Sequence, residues 1–205
     1  MLQSICKPGS IEVGIDESGY GACFGDMYIC GVIFPEDYKN DDIKDSKKLS
    51  EKKREELFDV VLKNCIDYSI ITVDNKTIDK SDVWRARFVG FHNCLDNFKT
   101  TFNHIIIDGN VFTKYKNIEH QCVIKGDNKY LSIAGASILA KVSRDRYMRE
   151  IAKTYPLWNL ENNKGYVTPD HIALMEKNGI TELHRKSFLK NVNYYDKKYN
   201  NGKLF

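Results

Sequence analysis

The spacing of apolar positions changes period several times along the chain, and each change predicts an element. Ile11 to Ile15 is β-prone and predicts a first strand over 11–16. Met27 to Phe34 (MYICGVIF) predicts a second, stopped by Pro35. Leu57, Val60, Val61 and Cys65 recur at helical spacing behind Ser50, a suitable N-cap, and predict a helix over 51–64. Tyr68 to Val73 is a third strand. From Lys76 to Phe98, aromatic and aliphatic residues recur at mixed helical spacing, giving one helix or a broken pair with its aromatics in the core. His104 to Ile107 is a short, wholly apolar strand ending at Asp108-Gly109. Gln121 to Lys125 is a fifth, ending in Gly126-Asp127. The longest helix runs from Tyr130 to Tyr155, and its small residues Ala134, Gly135, Ala136, Ser137 and Ala140 let it lie close against a sheet. Thr168 caps a short helix with Pro169 at its first position, ended by Asn178-Gly179. The tail from Lys190 to Phe205 is rich in Asn, Lys and Tyr and is expected to fray.

Three of the predicted strands end in an acid: Asp16-Glu17, Asp108 and Asp127. If those strands are neighbours, their carboxylates converge at one edge of a sheet. Gly19 and Gly21 follow the first pair and leave bare backbone beside it, which suggests a metal near a phosphate; an acidic turn after an edge strand is the plainer reading. Adjacent strand residues point to opposite faces, so Asp16 and Glu17 share a site only if the strand ends or bulges there. Asp16 lies inside the strand and is the choice for a bridging ligand. Four acids without a His or Cys cluster suit a hard ion such as Mg²⁺ and argue against zinc.

Composition narrows the partners. The 205 residues suffice for one domain with a sizeable core, and 42% hydrophobic with 29% charged residues is ordinary for a globular chain. No apolar run approaches the ~20 residues of a membrane span, and Met1 to Gly9 carries no secretory pattern. Six cysteines without a C-x-x-C pair point to reduced thiols and a cytoplasmic protein. The net charge of +3 hides an asymmetry: residues 121–205 carry 15 basic against 8 acidic side chains, and residues 1–120 carry 16 against 20. An acidic centre beside a basic rear half suits a polyanionic substrate. Lys47 and Lys48, just before a helix, are either phosphate contacts or a solvated loop.

Taken together, GIDES-G-Y-G, DSKKLSEKKREEL, IIIDGN, KGDNKYLSIAGASILAKVSRDRYM and GYVTPDHIALMEKNGITELHRKSF closely resemble ribonuclease HII, a type 2 ribonuclease H, over about residues 11–188. The resemblance implies an α/β, ribonuclease H-like fold, with a mixed five-stranded sheet flanked by helices. It also implies a single catalytic domain over 1–205, with a helical C-terminal extension over about 156–205. The implied activity is hydrolysis of the RNA strand of RNA–DNA hybrids and cutting 5′ of ribonucleotides embedded in duplex DNA, by two Mg²⁺ or Mn²⁺ ions, leaving 3′-hydroxyl and 5′-phosphate ends. The family's four metal-binding carboxylates fall on Asp16, Glu17, Asp108 and Asp127. Gly19 and Gly21 are expected to bring backbone amides and carbonyls against the ribose 2′-OH, with Tyr20 between them. Tyr166 matches the tyrosine that packs on the sugar at the RNA–DNA junction. Lys47, Lys48, Arg185 and Lys186 are expected at phosphates and Ser137 in the groove, while His171 and His184 are expected to be structural or substrate-side. A monomer with no membrane partner is expected.

The chain departs from the family pattern in three places. Tyr20 stands where the family has the Arg of Gly-Arg-Gly, Ser18 where it has Ala, and Gly25-Asp26 where it often has Gly-Pro. Two of these look like ribonuclease HIII, a relative restricted to ribonucleotide runs. Retention of all four acids argues against a hybrid-binding protein without turnover, and the DSKKLS and GYVT motifs disfavour a resolvase or integrase core.

Overall fold

The computed structural model describes residues 1–189; the tail that the sequence expects to fray lies outside them. Five strands, β1 (Glu12–Ser18), β2 (Met27–Ile33), β3 (Asp67–Val73), β4 (His104–Asp108) and β5 (Glu119–Val123), form one sheet in the order β3-β2-β1-β4-β5. β1, β2 and β3 pair antiparallel; β1, β4 and β5 pair parallel. The three acid-bearing segments are therefore neighbours.

Helices cover both faces. Val13 and Ile15 of β1, with Met27, Ile29 and Ile33 of β2, pack with Ala86, Phe88 and Phe91. Those three lie on α3 (Val83–Asp96), which follows α2 (Asn75–Ser81). The region predicted as one helix or a broken pair is a pair, broken at Asp82. Its φ of 102° ends α2, and its side chain accepts from Arg85 N to start α3. The opposite face packs Cys30 and Val32 against α1 (Glu51–Asn64) and α4 (Leu131–Thr154). Ser50 caps α1 as expected, its Oγ accepting from Lys53 N at 3.2 Å.

The helix α4 comes closest to the sheet at Gly14, where β1 has no side chain in the way. A Cβ at Gly14 of β1 would stand 2.4 Å from the carbonyl carbon of Ser132, so only glycine fits. That contact sets Ser137 of α4 beside the end of β1. Beyond α4, the short helices α5 (Leu160–Asn163), α6 (Pro169–Asn178) and α7 (Lys186–Leu189) pack around Phe24, Met148 and Trp158. Thr168 and Gly179 bound α6 as the sequence predicts. No described helix is long and apolar enough to cross a membrane, and all six cysteines are free.

Candidate active site

β1 keeps its regular register with β2 as far as Ser18↔Tyr28, while its parallel ladder with β4 stops at Ile15↔Ile107. The strand neither ends nor bulges at the acid pair, which corrects the condition set from sequence. Period 2 holds, so the two carboxylates leave the sheet on opposite faces. Asp16 turns to the α4 side, where it lines one cleft with Ser137, whose Oγ lies 3.0 Å from Ser46 Oγ. Glu17 turns to the α3 side, where Arg87 Nη2 donates to its Oε2 at 2.9 Å. Both stand past the last pair of the β1–β4 ladder, a rim at which β4 ends in Asp108.

Asp108 is held from the turn that follows β5, Gly126 N donating to its Oδ1 at 2.7 Å. Asp127 sits differently from expectation. β5 starts and stops two residues earlier than predicted, and Asp127 rides on a 3-10 turn (Gly126–Asn128). Lys125 enters that turn at φ 55°, and α4 follows directly.

The rim is electrically strained. Asp16 is 6% exposed; burial first, then the charges of Glu17 and Asp108, push its carboxyl well above the usual range. Burial also raises Glu17, opposed chiefly by Arg87. Burial, then Asp108 and Asp45, raise Asp127. Lys47 answers this charge. Burial alone would lower its pKa, but Asp16, Asp127, Asp45 and Asp108 together raise it. Among the described residues no three His, Cys, Asp or Glu side chains close into a ready-made metal cage.

A cleft of about 340 Å³ opens beside the rim, lined among others by Asp16, Glu17, Tyr20, Lys47, Ser137 and Tyr166. Its floor is the glycine loop after β1. Two buried arginines fix that loop. Arg144 of α4 donates to the carbonyls of Asp26, Lys164 and Phe24 at 3.0, 2.8 and 3.2 Å. Arg185 donates to those of Gly25, Gly19 and Tyr20 at 2.9, 2.7 and 3.1 Å.

Arg185 therefore corrects one expectation: it is 0% exposed and holds the loop from within, out of reach of a phosphate. It corrects a second as well. The carbonyls of Gly19 and Tyr20 turn inward to Arg185 and are not offered to a ligand. Lys186 is exposed but does not line the cleft, and its backbone N is anchored by Asp79 at 2.8 Å. Lys48 bonds Asn128 and lies 3.9 Å from Asp45. Tyr166 lines the cleft with 38% of its surface exposed, and its carbonyl lies 3.1 Å from His171 Nδ1. His171 and His184 are buried, Nε2 to Nε2 at 3.2 Å, in line with a structural role.

Sequence reasoning missed Arg87, and it missed that Arg144 and Arg185 are internal. Each had a signal. Arg87 falls one turn before Phe91 in an apolar helix, and a charged residue on a core face needs a partner.

A mixed sheet that gathers carboxylates at the open end of its parallel strands, beside a glycine loop and a lysine, defines an α/β nuclease of the ribonuclease H class. The comparisons agree. Residues 13–191 match the family description Ribonuclease HII. The Parabacteroides distasonis protein named Ribonuclease HII is 46% identical over 188 residues, 92% of this chain and 94% of its own. The crystal structure of ribonuclease H2 from Pyrococcus horikoshii shares the fold, with a TM-score of 0.73 at 23% identity over 86% of this chain and 92% of that one. Bst-RNase HIII in complex with Mn²⁺ shares it less closely, with a TM-score of 0.63 at 14% identity over 87% and 64%. The chain belongs to the ribonuclease HII family. It is a type 2 ribonuclease H, an endoribonuclease acting on RNA–DNA hybrids.

Proposed function

We propose that this enzyme cuts 5′ of ribonucleotides, both in hybrid runs and embedded singly in duplex DNA, and leaves 3′-hydroxyl and 5′-phosphate ends. Asp16, Glu17, Asp108 and Asp127 would hold two Mg²⁺ or Mn²⁺ ions. The observation that carries the reading is the rim itself: four carboxylates from neighbouring segments, three of them raised by burial and mutual charge, beside an open cleft.

The donor set fits the ions. All donors are hard oxygens, and the charge repulsion at Asp16 is what a bound cation would relieve. Ions held by these carboxylates would neutralise charge on the phosphate and lower the pKa of a water.

The chain's own residues then position the duplex. Lys47, kept protonated by the acids around it, is placed to meet a phosphate from the cleft side. The amides of the glycine loop face the ribose 2′-OH, the mark that separates RNA from DNA. Tyr166 offers its ring to the sugar at the junction. Ser137 lines the cleft beside Asp16, on the α4 side of the groove. A monomer in the cytoplasm suffices for this work.

A second reading, restriction to ribonucleotide runs, is favoured by one observation: Tyr20 brings a ring and no charge to the loop. We expect single sites to be cut, at about ten- to a hundredfold lower kcat/KM than runs, the range of one charged contact. The test is cleavage of three labelled duplexes: all DNA, one embedded ribonucleotide, and a ribonucleotide run. Cutting of both ribonucleotide substrates, dependent on Mg²⁺ or Mn²⁺ and lost in Asp108→Asn and Asp127→Asn, supports the proposal. Cutting of runs alone supports the second reading. Full activity of either variant removes that acid from the ion site.

A further inference from the structure

Arg87 makes four contacts that no other described residue combines. Its Nη2 donates at once to Glu17 Oε2 at 2.9 Å and to the carbonyl of Asp108 at 3.1 Å. Its guanidinium lies 5.5 Å from the centroid of the Tyr20 ring and 4.7 Å from that of Phe91. One cation thus ties β1 to β4 just past the point where their ladder stops, and touches the glycine loop as well. The side chains of Arg87 and Glu17 are only 12% and 13% exposed, so the pair is not a solvent-screened surface bridge. Its Nε is buried without a partner, so the guanidinium is held by the acid, the carbonyl and the two rings.

We propose that Arg87 is a positioning residue of the carboxylate rim, a resident cation that fixes Glu17 and the end of β4 in place and is covered by Tyr20. The inference rests on the proposed ion site. An ion approaching Glu17 meets a positive charge already bonded there, so Arg87 weakens ion binding while it sets the geometry in which the bound ion is useful. Removing it moves those two properties in opposite directions. A residue that merely supported packing would move them together, both downward.

Lysine separates charge from geometry. It keeps the positive charge but offers a compact ammonium in place of a flat fork that stacks and bridges two acceptors. Tyr20 and Arg87 also form one unit, because the ring is what confines the guanidinium on the loop side.

The test measures Mn²⁺ binding by calorimetry without substrate, at about pH 9, far above the ordinary carboxylate range, together with kcat and KM on a ribonucleotide run. Arg87→Met is expected to bind Mn²⁺ about three- to tenfold more tightly, as the loss of one nearby like charge requires. Its kcat is expected to fall at least about tenfold with KM little changed, the mark of a group that acts through the reacting geometry. Arg87→Lys should return Mn²⁺ affinity to near the natural value without returning kcat. Mn²⁺ binding that is unchanged or weaker in Arg87→Met overturns the inference, and so does natural kcat in either variant. If Arg87→Met fails to fold, Arg87→Lys decides alone: natural kcat overturns the inference, and low kcat with natural Mn²⁺ affinity supports it. Asp16→Asn serves as the control. If the natural protein binds no Mn²⁺, or binds it as well with Asn at 16, the ion site itself fails and takes this inference with it. Binding that requires Asp16 but ignores Arg87 sinks the inference alone.

Discussion

The guanidinium of Arg144 passes 2.0 Å from the point where a Cβ of Gly19 would stand. Gly19 also sits at φ +87°, a conformation that favours glycine. Gly21, two residues on, has nothing within 4 Å of its Cβ position and needs no positive φ. The two glycines of one motif therefore do different work. Gly19→Ala should cost about 2 kcal/mol or more of stability through clash and backbone strain together, with activity falling alongside. Gly21→Ala should leave Tm unchanged while its methyl, projecting into the cleft, raises KM for ribonucleotide substrates. Thermal melts beside KM values check the pair.

Charge relief at the rim gives a variant that is better folded and inactive. Burial and two neighbouring acids oppose the charge of an ionised Asp16. Asp16→Asn keeps the acceptor that Glu17 N bonds at 2.8 Å and removes the charge. In metal-free buffer its Tm should rise by a few degrees, the equivalent of about 1 kcal/mol, while hydrolysis is lost. A Tm equal to or below that of the natural protein would show that Asp16 is not under strain.

Salt dependence separates the basic residues. Lys47→Ala should lower the slope of log affinity against log salt by about one unit if Lys47 meets one phosphate. Lys186→Ala, outside the cleft, should leave it unchanged. Arg185→Ala should instead lower Tm, because it leaves the carbonyls of Gly19, Tyr20 and Gly25 without their internal donor. Binding to hybrid measured over a salt series, with a melt for each variant, distinguishes these effects.

Acid should loosen the C-terminal helices. Burial, and then the neighbouring His171, push His184 down to about 3. A histidine in the unfolded chain takes up its proton near pH 6.5. The folded value lies below the unfolded one, so this contribution to stability is complete above about pH 6.5 and drains away as pH falls toward 3. His184→Asn can still accept from Thr181 N, which His184 Nδ1 does at 2.9 Å, but cannot charge. Its Tm should start lower at neutral pH and fall less steeply in acid than that of the natural protein.

Much of this was legible in the sequence because it depends on local pattern. The limits of α1 and α6 followed from Ser50, Thr168 and Gly179, residues whose side chains or backbone freedom act within one turn. The convergence of Asp16, Asp108 and Asp127 followed from acids at the ends of apolar runs. What escaped depends on pairing across distance. Which face Glu17 takes is decided by the register of β1 with β2, and the burial of Arg185 by carbonyls some 160 residues away in sequence. A basic residue beside a substrate motif looks the same in one dimension whether it points out or in.

Arg144 belongs to the long helix of the sheet layer and Arg185 to the C-terminal segment, yet both end on carbonyls of one loop, at Phe24, Gly25 and Asp26 among others. Cys23 and Phe24 in turn donate their amides to Gly165, one residue before Tyr166. The bottom of the groove and the tyrosine on its flank are riveted to the same short stretch of chain. Neither can swing without dismantling the other, so the mouth is cut to width before a duplex arrives. On the proposed function, selection at such a mouth would work as a gauge does, by whether the ribose and the helix around it fit the gap.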